Sequence, residues 1–251
     1  MKYAMINSQK VEAKPNLKGA LCPKCKSEMI AKCGSIRIHH WAHKKGAHCD
    51  EWAEPENAWR LNWLKAFEGF RQEEIIKQGN ESHFVDVLTE NGTPILFRQK
   101  APSSDDMAKM ESFFRGLIWF ANMGASIRAC KAFEKAMIEQ FITESEIKNV
   151  WLCSCEKGIP AAWLDAKYPV FLDFRCSEEI VNDYLWCLMP KLHPDDRSDR
   201  ILIRFSEVDE VVDKIKNRQF QSSFDVGVNV EKINRRIKEK WDNRFSQEKI
   251  R

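Results

Sequence analysis

Apolar residues recur at helical spacing through Trp59, Leu61, Trp63, Leu64, Phe67 and Phe70. Pro55 and the acids Asp50, Glu51, Glu54 and Glu56 precede them, as suits a first turn. The pattern predicts a helix to about residue 78, stopped by Gly79-Asn80. Two short apolar runs follow, His83–Thr89 and Thr93–Lys100, with Glu90-Asn91-Gly92 between them. Asn-Gly between apolar runs predicts a hairpin, because both residues tolerate positive φ. Ser103-Ser104-Asp105-Asp106 offers N-caps for a helix with Met107, Met110, Phe113, Phe114, Leu117, Ile118 and Ala121 on one face. Leu117–Phe120 reads alternatively as the start of a strand.

Further along, a helix is expected from about Arg128 to Phe141, a strand over Val150–Cys155 and a short helix over Ala161–Asp165. Strands are expected at Pro169–Phe174, Leu185–Leu188 and Ile201–Phe205, then a helix capped by Ser206 and running through Lys216. Residues 231–251 read as a basic helix or tail. Mixed helices and strands place the chain in the α/β or α+β class.

Composition narrows the field. The 251 residues are 43% hydrophobic, with 9 Trp and 15 Phe, which is enough apolar material to exclude wholesale disorder. No stretch approaches the roughly 20 apolar residues of a membrane helix. Met1 to Val11 lacks a secretory pattern, so a cytoplasmic location and no membrane partner are expected. The net charge of +3 hides a gradient. Residues 1–50 carry ten Lys/Arg against three Asp/Glu, and residues 231–251 carry eight against four, so the middle is acidic. Basic ends suit phosphate backbones, and equally a solvated Lys-rich surface.

Nine cysteines, an odd number, fit a chain that uses a few thiols for metal and leaves the rest reduced. Cys22-Pro-Lys-Cys25 is a knuckle that can offer two thiolates to one zinc. His43 and Cys49 complete the expected set, with room for a two-stranded ribbon between Cys25 and His43. Cys33, His39, His40 and His48 are alternative ligands. A site with four protein ligands is closed, so structural zinc is the expected cofactor. Cys153 and Cys155 read as buried thiols, and Cys130, Cys176 and Cys187 as core or loop residues.

Asp86, inside His83-Phe-Val-Asp-Val87, is the sharpest acidic signal. A carboxylate in an apolar strand is costly unless it is satisfied, so Asp86 reads as a metal-site residue or as a structural Asp bonded to backbone amides of a turn. Glu54 and Glu56 on the preceding segment serve either as its partners at a metal or as helix-dipole caps.

In order and spacing the chain resembles the competence protein CoiA-like family. The resemblance rests on Cys22-x-x-Cys25, His40-Trp-Ala-His43, Cys49-Asp50-x-Trp52-x-Glu54-Pro-Glu56, Trp59 and Trp63. It continues through His83-Phe-Val-Asp86-Val87, Phe113-Phe114, Tyr168-Pro-Val-Phe-Leu-Asp173-Phe174 and Leu185-Trp-Cys-Leu-Met-Pro190. It implies a zinc-ribbon-like N-terminus, a restriction-endonuclease-like core of the PD-(D/E)XK type and a role in DNA uptake and recombination. The implied fold is α/β, with a basic head over 1–52, a nuclease-like core over 53–155, an α/β extension over 156–230 and the basic 231–251.

The departures shape the functional expectation. The family's second strand carries Glu and Gln where this chain has Leu96 and Arg98, and its Trp-His pair here is Trp59-Arg60. Losing one of two carboxylates and gaining an arginine should weaken Mg²⁺ binding severely. Arg98 and Lys100 suit phosphate, and Arg60 either crosses the groove or pairs with an acid. The implied function is DNA binding with cleavage impaired. Two rivals stand beside it: an active Mg²⁺-dependent nuclease using Glu56 and Asp86, and a non-enzymatic adaptor that binds a protein partner.

Overall fold

The computed structural model describes residues 1–35, 38–44, 49–145, 148–153, 157–175, 184–190 and 200–217. The expectations for His48, Cys155, Cys176 and the 231–251 stretch lie outside these residues.

The N-terminal part is a five-stranded sheet in the order β2-β1-β3-β4-β5. Its strands are β1 (Tyr3–Ile6), β2 (Gln9–Glu12), β3 (Ala20–Leu21), β4 (Glu28–Lys32) and β5 (His40–His43). β4 and β5 form the expected ribbon, with Met29 opposite His43. Ala4, Ala20, Cys22, Met29 and Trp41 form a small core beneath it.

The rest builds a nine-stranded sheet in the order β10-β11-β14-β13-β12-β9-β8-β7-β6. The elements run α1 (Ala58–Ala66), β6 (Arg71–Gln78), β7 (Glu81–Leu88), β8 (Pro94–Arg98), α2 (Ser104–Phe114) and β9 (Ile118–Asn122). Then come α3 (Ile127–Ile138), β10 (Ile142–Glu144), β11 (Val150–Cys153), α4 (Ala161–Leu164), β12 (Val170–Asp173), β13 (Leu185–Leu188), β14 (Arg200–Phe205) and α5 (Val208–Lys216). β8, β9 and β12 lie parallel, and the other pairs are antiparallel. One sheet crosses residue 155, since β12 pairs with β9 and β14 with β11.

Strand alternation explains the layering. Leu96 and Trp119 face one core with α2, α3 and α4, where Met110, Phe133 and Trp163 pack. Ile95, Phe97 and Phe120 face the other core with α1 and α5, where Trp63, Leu64 and Val212 pack. Both faces are covered, so the central strands are mostly apolar, with Arg98, Asn122 and Asp173 at the ends of β8, β9 and β12.

One expected element is wrong. The helix ends at Ala66, and residues 71–78 are strand β6. Gly69, at φ +93, breaks the helical path, and β-branched Ile75 and Ile76 favour a strand. Gly79-Asn80 is therefore the turn of the β6–β7 hairpin, with Gly79 at φ +57. The hairpin turn at Asn91-Gly92 forms as expected. Thr89 N donates to Thr93 O at 3.1 Å, and Gly92 takes φ +83. Ser103 caps α2 by accepting from Asp106 N, and Glu207 rather than Ser206 precedes α5.

Candidate metal centre and acid cluster

The Cys22–Cys25 segment is a tight turn. Cys22 N donates to Ser27 O at 2.8 Å, and Lys26 N donates to Cys22 O at 3.0 Å. β5 delivers His43 beside this turn, and the chain returns at Cys49. The ligand atoms of Cys22, Cys25, His43 and Cys49 all lie within 4.8 Å of one another. Cys22 Sγ is 3.4 Å from Cys49 Sγ, and Cys25 Sγ is 3.3 Å from His43 Nε2. Three sulfurs and one imidazole nitrogen at this spacing fit a tetrahedral metal such as zinc, with bonds of roughly 2.0–2.3 Å. Burial raises the Cys25 thiol, but hydrogen bonds with Ser27, Cys22 and Cys49 together lower it to about 6. Burial and the neighbouring thiols push Cys49 upward, which a cation would reverse.

Among the described residues, the alternative ligands Cys33, His39 and His40 do not join this set. Cys33 packs against the small head core. His40 Nδ1 lies 2.8 Å from Ile38 O. Among the described residues these four are the group in which at least three such ligand atoms converge.

The second constellation surrounds Asp86 on β7. Glu73 on β6 lies between the paired positions Gln72–Val87 and Glu74–Val85, opposite Asp86. Facing carboxylates on adjacent strands repel unless a cation intervenes. Arg60, on α1, is that cation. It is 5% exposed, and its Nε donates to Asp86 Oδ1 at 2.6 Å. Its other nitrogens donate to Glu73 Oε1 at 3.0 Å and to Glu56 Oε1. Burial lowers the guanidinium pKa, but Asp86, Glu73 and Glu56 outweigh it and hold the group firmly charged. Asp86 Oδ2 also accepts from Phe97 N at 2.7 Å, so backbone satisfaction and ion pairing act together.

Glu73 was not singled out by sequence. It has φ +47, and its carboxylate accepts from Lys2 N and Tyr3 N of the head at 2.9 and 2.8 Å. Burial raises this carboxyl, while Arg60 and those amides pull it below the usual range. A non-glycine residue in the left-handed region is held there by its surroundings.

Arg98, at the end of β8, is 4% exposed. Its Nη1 lies 3.6 Å from Asp86 Oδ2 and donates to Phe97 O at 3.0 Å. Burial lowers its pKa, against the pull of Asp86 and Glu54. Burial raises the Glu54 carboxyl, which Arg98 opposes and Asp86 reinforces. Arg98 forms part of the walls of two open cavities, of about 320 and 490 Å³. Exposed Lys100 lines both, and Glu54 lines the smaller. Arg60 lines a gap of about 20 Å³. The structure therefore brings Glu54, Glu56, Asp86, Arg60 and Arg98 together, and leaves Lys100 outside at the groove. Leu96, which the resemblance sets against the family's strand Glu, is 1% exposed in the apolar core.

A third buried acid also went unnoticed as a site. Asp173 on β12 is 0% exposed. Trp59 Nε1 and Trp63 Nε1 donate to its Oδ2 at 2.9 and 3.0 Å, and Arg175 grips both of its oxygens. Burial raises this carboxyl, but Arg175 and Trp59 bring it below the usual range. The signal was available, because Asp173 breaks an apolar strand just as Asp86 does.

Among the described residues no helix is long and apolar enough to cross a membrane. Residues 6–51 match the family model described as the N-terminal domain of competence protein CoiA. No curated protein and no solved structure matches the chain. The match supports the resemblance to the CoiA-like family. It covers the head from residue 6 onward, including all four converging ligands, and stops before the nine-stranded sheet.

Proposed function

We propose that the chain, whose residues 6–51 match the CoiA N-terminal domain model, is a CoiA-like DNA-binding protein with a nuclease-type core that does not cut. The observation that carries this reading is Arg60 bound to Asp86, Glu73 and Glu56 together. A nuclease of this type needs carboxylates open to Mg²⁺. Here a fixed guanidinium occupies the space between them. Among the described residues no three carboxylate or imidazole ligand atoms converge at Asp86. The order α1, β6-β7-β8, α2, β9 supports a restriction-endonuclease-like core. Structural zinc in the head is part of the same proposal, with Cys22, Cys25, His43 and Cys49 as its ligands.

DNA would lie along the groove beside the β8 end, with Lys100 and the basic head on phosphate. Arg98 contributes positive potential from the groove wall. Arg60 serves the interior instead of the phosphate backbone, the acid-pairing role left open by sequence.

The test is anisotropy titration of single- and double-stranded DNA from low to moderate salt. Affinity that falls steeply with salt supports the reading. Absence of salt-sensitive binding would overturn it and favour the protein-binding adaptor.

A further inference from the structure

Asp50 sits one residue after the metal-site residue Cys49, yet its bonds go to the other sheet. Its side chain is 0% exposed. Asp50 Oδ2 accepts from Phe84 N at 2.8 Å, and Oδ1 lies 2.8 Å from His83 Nδ1, which donates to it. Both partners belong to β7, two and three residues before Asp86. On the head side, Lys24 Nζ lies 3.2 Å from Asp50 Oδ2, and Lys24 stands inside the Cys22–Cys25 turn. Trp52 stacks on the His83 ring at 3.6 Å, and its N donates to Asp50 Oδ1 at 3.2 Å. Phe84 itself packs against the head core. The carboxylate is thus held between the metal-site turn and one strand of the large sheet.

We propose that Asp50 couples metal occupancy in the head to the order of β7, and through β7 to the Asp86 cluster. A bound metal fixes Cys49 and the Cys22–Cys25 turn, which together fix both ends of the Asp50 bridge. Without metal, Cys49 and Lys24 lose their common anchor. Asp50 can then leave Phe84 N, and the strand that carries Asp86 loosens. Asp50 is a positioning residue in this account and touches no reacting atom.

The test is hydrogen exchange on the full chain, loaded with one zinc equivalent or stripped by a chelator under reducing conditions. The Phe84 amide should exchange on the order of tenfold faster after stripping, while the Cys130 amide in α3 is unchanged. An unchanged Phe84 amide would overturn the proposal, as would an equal rise at Cys130. Asp50→Asn adds a second arm. It should retain one metal per chain by native mass spectrometry, with Phe84 exchanging fast in both states. A D50N chain that responds to stripping as wild type does would also overturn the proposal. The wild-type comparison needs no substitution, so it stands even if D50N folds poorly.

Discussion

Arg60 Nε lies 2.6 Å from Asp86 Oδ1, so the carboxylate at the heart of the expected metal site is held by an internal cation. The same guanidinium joins Glu73 and Glu56, so several acids share one positive group. Arg60→Met should therefore do more than remove hydrogen bonds. It leaves buried carboxylates without their counter-ion, at a cost of about 3–5 kcal/mol. Urea unfolding would measure this, and Arg60→Lys should restore part of the loss.

Asp173 supplies a pH test. Its carboxyl and that of Glu73 are depressed in the folded chain. A depressed carboxyl contributes stability that is present above the ordinary carboxylate range, roughly pH 4, and is lost as pH falls through the folded value. Stability should accordingly fall as the solution is acidified below about pH 4. Asp173→Asn should cost about 2–3 kcal/mol at neutral pH, since Arg175 and two indoles lose their charged acceptor. The same variant should flatten the acid limb of the stability curve.

The metal centre predicts a ligand set. Native mass spectrometry should find one metal ion per chain. Cys22→Ser, Cys25→Ser and Cys49→Ser should each release it or weaken it severely, and Cys33→Ser should not. Cobalt substitution should give thiolate charge-transfer absorption that disappears in the same three variants.

Lys100 is the exposed cation that lines both cavities beside Arg98. Lys100→Glu should weaken DNA binding and lower the slope of log affinity against log salt by about one. Thermal stability should hardly change, because the side chain is exposed.

Legibility in the sequence followed from how local each signal is. Cys22, Cys25, His43 and Cys49 announce themselves by chemistry and spacing, and the hairpin at Asn91-Gly92 by turn residues. Asp86 was visible because an acid interrupts an apolar strand. Glu73 was hidden, because it sits in Arg-Gln-Glu-Glu-Ile-Ile, which continued an apparent helix. Its partner across the sheet and its positive φ exist only once β6 pairs with β7. β1 to β3 were missed because two to four residues are too short for alternation to show. The role of Arg60 needed the helix, both strands and the head in place. Sequence could offer groove or acid as its destination, and packing decides between them.

The central claim is that the chain binds DNA in the groove beside the Asp86 centre without cutting it. The direct measurement is a cleavage assay on single- and double-stranded DNA with Mg²⁺ or Mn²⁺, comparing wild type with Asp86→Ala alongside a matched binding titration. The account predicts salt-sensitive binding and no cleavage by wild type in either metal. Metal-dependent cleavage by wild type that Asp86→Ala abolishes would contradict it, and would mean that Arg60 yields its place to the metal.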